Sequence, residues 1–189
     1  MGQIMFTLPA GREFERTFFG LPVSWVPSYW APRLGFDAAI QQVIQDNWAQ
    51  FAEAQRLGAS YVHNPIEPEM GRTPDVWSMV KGYLPEEVDG RNPPLGLYVA
   101  LGSSLDLHYG VDAFFWWDGC CATVDLSLQE KTKGAQNPKM VLHADMLIGL
   151  SILRRGGLNW FGRRMARLLI HRREVLVGTG SRIGKVRWV

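Results

Sequence analysis

Val111-Asp112-Ala113-Phe114-Phe115-Trp116-Trp117-Asp118-Gly119-Cys120-Cys121-Ala122-Thr123-Val124-Asp125-Leu126 reads as a β-hairpin. Residues 111 to 117 are almost wholly apolar and aromatic, residues 120 to 128 form the return strand, and Asp118-Gly119 stands between them. An Asp-Gly pair tolerates positive φ at both central positions of a two-residue turn, the geometry that suits the twist of the flanking strands. Folding at that turn sets equidistant residues opposite each other. Asp112 lies six residues before Asp118 and Asp125 six after Gly119, so the two aspartates are expected as cross-strand neighbours with their carboxylates on one face.

Outward from the hairpin the period changes to that of helices. Phe36, Ile40, Val43, Ile44, Trp48 and Phe51 recur every three or four residues, and Gly58 follows as a stop, which predicts a helix. Residues 59–94 carry six prolines and are expected as a long structured connection, with a short helical piece around 75–83. Leu97, Ala100, Leu101 and Leu105 predict a second helix over 95–108. After the hairpin a strand is expected over 140–148. Leu158, Phe161, Met165, Leu168 and Leu169 then outline an amphipathic helix, and Val175–Val177 reads as a last strand. These elements predict an α/β fold, a small mixed sheet around hairpin 111–128 flanked by helices. Residues 1–35, rich in Pro, Gly and aromatics, are expected as an extended arm that packs on its own domain or on a neighbouring subunit. Residues 36–189 are expected as a single domain with a basic C-terminal helix and tail.

Charge divides the chain unevenly. Residues 154–189 hold ten basic residues, nine of them Arg, and one acid, Glu174; the first 153 residues hold ten basic and seventeen acidic. Such asymmetry points to a polyanionic partner, and Arg suits bidentate binding of phosphate. Arg163, Arg164, Arg167, Arg172 and Arg173 are therefore candidates to bind nucleic acid, DNA above all. The competing reading is that these arginines pair with acids elsewhere in the fold. No run of about 18 apolar residues exists, so no membrane span is expected. Arg12, Glu13, Glu15 and Arg16 interrupt any secretory leader, and the adjacent Cys120 and Cys121 lack metal-ligand spacing. A cytoplasmic protein, or one carried in a virion, is expected.

Two aspartates held together repel, and a divalent cation is the usual reason to tolerate that. Magnesium held by Asp112 and Asp125 would activate water for phosphodiester displacement, with Lys131 or Lys133 placed to hold that water or the scissile phosphate.

Gly110-Val111-Asp112, a hairpin, then Val124-Asp125-Leu126-Ser127 with lysines close behind and a helix on either side, resembles the PD-(D/E)xK nuclease core, a restriction-endonuclease-like fold. The resemblance spans roughly residues 95 to 178. It implies that Asp112 and Asp125 bind Mg2+ in an endonuclease-like site. The family's lysine falls two residues after the second acid, where this chain has Ser127; Lys131, Lys133 and Lys139 are the candidates for a displaced one. The chain also looks like some bacteriophage head-completion or DNA-processing proteins. That likeness carries an alternative, a non-enzymatic assembly protein that binds nucleic acid or neighbouring subunits through its basic end and aromatic arm.

Overall fold

The computed structural model describes residues 13, 15, 19, 30–59, 63–68, 76–127 and 144–179. In chain order the elements are α1 (Phe36–Arg56), α2 (Val76–Lys81), β1 (Leu95–Val99), α3 (Ser104–Tyr109), β2 (Ala113–Trp117), β3 (Cys120–Ser127), β4 (Met146–Gly149) and α4 (Leu150–Thr179). The four strands form one mixed sheet in the order β1-β2-β3-β4. The first three make an antiparallel meander, and β4 runs parallel to β3.

Alternation along the strands divides the core into two layers. Leu95, Leu97, Ala113, Phe115, Trp117, Ala122, Val124 and Ile148 face α2 and α4, where they meet Val76, Val80, Phe161, Met165 and Leu169. Tyr98, Phe114 and Trp116 face the other way, onto Ile40, Val43 and Ile44 of α1 and Leu105 of α3. Both faces of β2 are thus covered, which explains why its sequence is continuously apolar instead of alternating with polar residues. Each large side chain buried in these layers contributes about 1.5–3 kcal/mol relative to exposure.

The helix expected over 95–108 is instead a strand and a short helix. Leu95 and Leu97 turn to one side and Tyr98 to the other, a period of two that the spacing of Leu97, Leu101 and Leu105 concealed. Pro93-Pro94 biases the entry towards extended backbone. The break falls at Gly102-Ser103, where the Ser103 hydroxyl accepts the Leu105 and Asp106 N–H groups and caps α3. Gly110, at φ 64°, closes the other end in the left-handed conformation.

Of the strand expected over 140–148, the described part is Met146–Gly149; residues 140–143 lie outside the described residues. The strand expected at Val175–Val177 is helical. Helix α4 runs on to Thr179, because Leu176 packs partly on the core two turns beyond Leu169 while Val175 and Val177 stay exposed. Packing here overrides the β preference of valine. Gly157 departs from helical geometry (φ 63°, ψ 179°), so α4 consists of two helical segments meeting at a kink.

Within 1–35, Glu13 and Glu15 are helical rather than extended, and Phe19 is buried in the layer beneath α2 and α4. Phe19 therefore packs on its own domain, while Trp30 is 77% exposed. Residues 31–34 are tied to α3: His108 Nε2 is 2.9 Å from the Ala31 carbonyl, and the Tyr109 hydroxyl donates to that of Leu34 at 2.6 Å. The outer edge of β1 is also occupied. The Leu97 N–H donates to the Pro65 carbonyl at 2.8 Å. The Asn47 amide of α1 both donates to and accepts from the Val99 backbone at 3.0 Å. Among the described residues, no helix is long and apolar enough to cross a membrane.

Candidate nucleic-acid interface and carboxylate cluster

Asp118 and Gly119 take φ of 44° and 83°, and Trp117 pairs with Cys120 across them, so the turn is the two-residue type that Asp-Gly favours. The ladder runs back to Ala113↔Val124 and ends there, with Asp112 just before the first paired residue of β2 and Asp125 just after its partner on β3. Asp112 lies just outside β2, and its backbone is shared between neighbours. Its N–H donates to the Val124 carbonyl at 2.8 Å, and its own carbonyl accepts the Ala100 N–H at 2.8 Å. Its carboxylate then replaces the missing strand backbone: Oδ2 accepts the Leu126 N–H at 2.6 Å.

Both aspartates are buried, Asp112 at 4% exposure and Asp125 at 5%. Burial, followed by the negative charges of Glu15 and Asp106, holds the Asp112 carboxyl well above the ordinary carboxylate range. Asp125 pushes the same way, while the Leu126 N–H opposes the shift. Glu15 and Asp106 thus act on Asp112 through their charge, as Asp125 does. Sequence reasoning missed both. Asp106 had a local signal, since Ser103-x-x-Asp106 is a capping pattern and its Oδ2 takes the Gly102 N–H at 2.7 Å. Glu15, nearly a hundred residues away, had none.

Carboxylates are the right donors for magnesium in kind. They do not complete a ligand set: among the described residues, no three His, Cys, Asp or Glu side chains converge so as to hold an ion. One Asp112 oxygen is already committed to a backbone N–H. The described residues alone therefore do not make a metal centre. Lys131, Lys133 and Lys139 lie outside the described residues, and Ser127 ends β3.

The five candidate arginines divide into two groups. Arg172 grips Asp145 with two hydrogen bonds, at 2.7 and 2.5 Å, and also reaches the Cys121 carbonyl. Arg173 donates to Asp118 at 2.8 Å and pairs with Asp89. These two are structural clamps, tying α4 to the sheet and to the hairpin turn. For them the competing reading of intramolecular pairing holds.

Arg163, Arg164 and Arg167 are exposed, and among the described residues none forms an ion pair with a carboxylate. Arg163 lies over the Tyr83 ring at 5.4 Å and Arg164 over Trp160 at 5.6 Å, an arrangement that orients the guanidinium groups without neutralising them. With Trp160, Leu168 and His171 they form one wall of a groove of about 520 Å³, whose other wall is Asp145 and Met146 at the start of β4. The Asp145 charge is already balanced by Arg172, so the groove presents net positive charge. Compared with known proteins, the chain matches no family model, no curated protein and no solved structure.

Proposed function

We propose that this chain is a nucleic-acid-binding protein, acting on DNA, with its binding surface along α4. The observation that carries this reading is the unequal use of the arginines. Arg172 and Arg173 are neutralised by acids of the fold, whereas Arg163, Arg164 and Arg167 are left charged on one groove, the first two set over aromatic rings. Uncompensated arginines on a surface repel one another, and a phosphate backbone relieves that cost while releasing its counterions.

The nuclease-like form of this proposal adds cation-dependent hydrolysis at Asp112 and Asp125. It is supported by two buried aspartates at the open end of the hairpin, one of them under the negative charge of the other and of Glu15 and Asp106. The non-enzymatic form, in which the same fold serves a nucleoprotein assembly, is supported by a different observation. Asp112 and Asp125 are buried, and Asp112 serves as backbone acceptor for Leu126.

One set of measurements tests both. Binding of labelled DNA across a salt series is expected to weaken in a variant carrying Ala at 163, 164 and 167. Its log–log salt slope should flatten by about 0.9 for each duplex phosphate that the variant no longer neutralises. Unchanged binding in that variant would refute the proposal. Incubation with duplex and single-stranded DNA in magnesium or manganese then separates the two forms. Nicking above the Asp112→Asn control supports hydrolysis, and its absence in both metals leaves binding alone.

A further inference from the structure

We infer that the α4 groove takes an unpaired strand of nucleic acid, with one base laid on the Trp160 indole and the backbone running along Arg163, Arg164 and Arg167. The inference rests on the nucleic-acid-binding reading and names the form of its ligand. Trp160, Arg164, Arg167 and His171 are spaced by four, three and four residues, one stripe of a helix about 16 Å long. At the head of that stripe Trp160 is 40% exposed and lines the groove, whereas Trp77, Trp116 and Trp117 are buried and Trp30, though 77% exposed, is not among the groove residues. The Arg164 guanidinium lies over part of the ring, and the share of the indole still in water costs hydrophobic energy that the fold does not recover. A base stacked on it recovers that energy.

Duplex DNA offers phosphates to such a surface but keeps its base faces stacked inside, so it has no use for the indole. A single strand offers both. Proteins that hold single strands without sequence preference combine a positive groove with aromatic platforms, each stacked base contributing about 1–3 kcal/mol. The concavity agrees: the wall formed by Asp145 and Met146 turns the stripe into a trough of about 520 Å³, within the size range of small-ligand sites. Asp145 does not spoil it, because both of its oxygens face the Arg172 guanidinium.

The test is fluorescence anisotropy of a labelled oligothymidine and a labelled duplex of equal length, in chelator so that no cleavage intervenes. The proteins compared are the full chain, Trp160→Leu, Trp160→Phe and the triple arginine-to-alanine variant. The full chain should prefer the single strand. Trp160→Leu should weaken single-strand binding by about 5- to 150-fold, the equivalent of one stacked base. It should leave the salt slope and duplex binding unchanged, and Trp160→Phe should restore most of the loss. The triple variant should lower the single-strand salt slope by about 0.7 for each phosphate set free. If Trp160→Leu binds the single strand as the parent does while the triple variant does not, the groove reads only phosphate and the inference fails, with the proposed function intact. If neither oligonucleotide binds the full chain, the proposed function fails and takes this inference with it.

Discussion

Arg172 and Asp145 meet through two parallel hydrogen bonds, at 2.7 and 2.5 Å, and the same carboxylate accepts the Thr123 N–H and hydroxyl at 2.8 and 3.0 Å. One aspartate thereby joins α4, the approach to β4 and the middle of β3. Replacing Asp145 with Ala is expected to cost about 1–3 kcal/mol, since hydrogen bonds to charged groups are strong and the Thr123 N–H and hydroxyl would lose this acceptor. Arg172→Ala should cost less, because its side chain is 38% exposed and its charge is partly screened. Urea unfolding of both single variants and the double variant measures the coupling. Strict additivity would show that the pair does not act as a clamp.

Gly162 of α4 lies directly against the Met79 backbone of α2. A Cβ there would stand 2.6 Å from the Met79 carbonyl oxygen and 2.7 Å from its carbon, inside van der Waals distance of rigid backbone. Gly162→Ala should destabilise by about 1–3 kcal/mol through overpacking. Gly178→Ala, on the same helix with open space around it, should be neutral or stabilise by up to about 1 kcal/mol. Thermal unfolding of the two variants should move in opposite directions or differ plainly in size. Equal shifts would mean that the two helices do not touch at Gly162.

The two cysteines should behave as core residues. Burial, helped by the Asp118 charge, pushes the Cys120 thiol up to about 11, and burial raises Cys121 further. The reactive species is the thiolate, so at pH 8 only about one part in a thousand of Cys120 is available. Labelling with a disulfide reagent should be slow for the native protein and fast in denaturant. Rapid reaction of either thiol under native conditions would contradict its placement.

Asp112 is expected to respond to substitution in two ways. Asp112→Asn keeps an acceptor for the Leu126 N–H and removes a charge that burial and three acidic neighbours oppose, so it should stabilise the cation-free protein. Because the folded-state pKa is raised, the wild-type carboxyl is favourable only while protonated. Its contribution is fully present below the unfolded pKa and is lost as pH rises through the folded pKa. The advantage of Asn should therefore be small in acid and widen towards neutral pH. Asp112→Ala leaves a buried N–H unpaired and should cost about 1–3 kcal/mol. Melting curves across pH check the sign, and a gap that narrows with rising pH would overturn it.

How much of the fold is legible in the sequence follows from the range of each interaction. The hairpin is readable because Asp118-Gly119 is a local instruction and the flanking residues carry the rest. Helix α1 is readable because one stripe, Ile40 to Phe51, lies within a single element. Strand β1 is not, since its apolar residues and those of α3 fall by chance on one helical spacing across the Gly102-Ser103 break. Which arginines are free is also hidden. Arg172 finds its partner 27 residues away and Arg173 one of its own 84 residues away, and no local pattern announces either. The positive charge of the C-terminal region is visible, but its division into clamps and a groove belongs to tertiary structure.

The Asn47 amide and the Pro65 carbonyl, set against Val99 and Leu97, have a meaning beyond the stability of one molecule. An open strand edge is a template on which another chain can lay itself, and repeated without end it yields fibres. With the Leu97 N–H and both Val99 backbone groups taken up by its own loop and its own helix, that border of the sheet is a poor template for another chain. A second copy would have to displace the Asn47 and Pro65 contacts before it could pair through this edge.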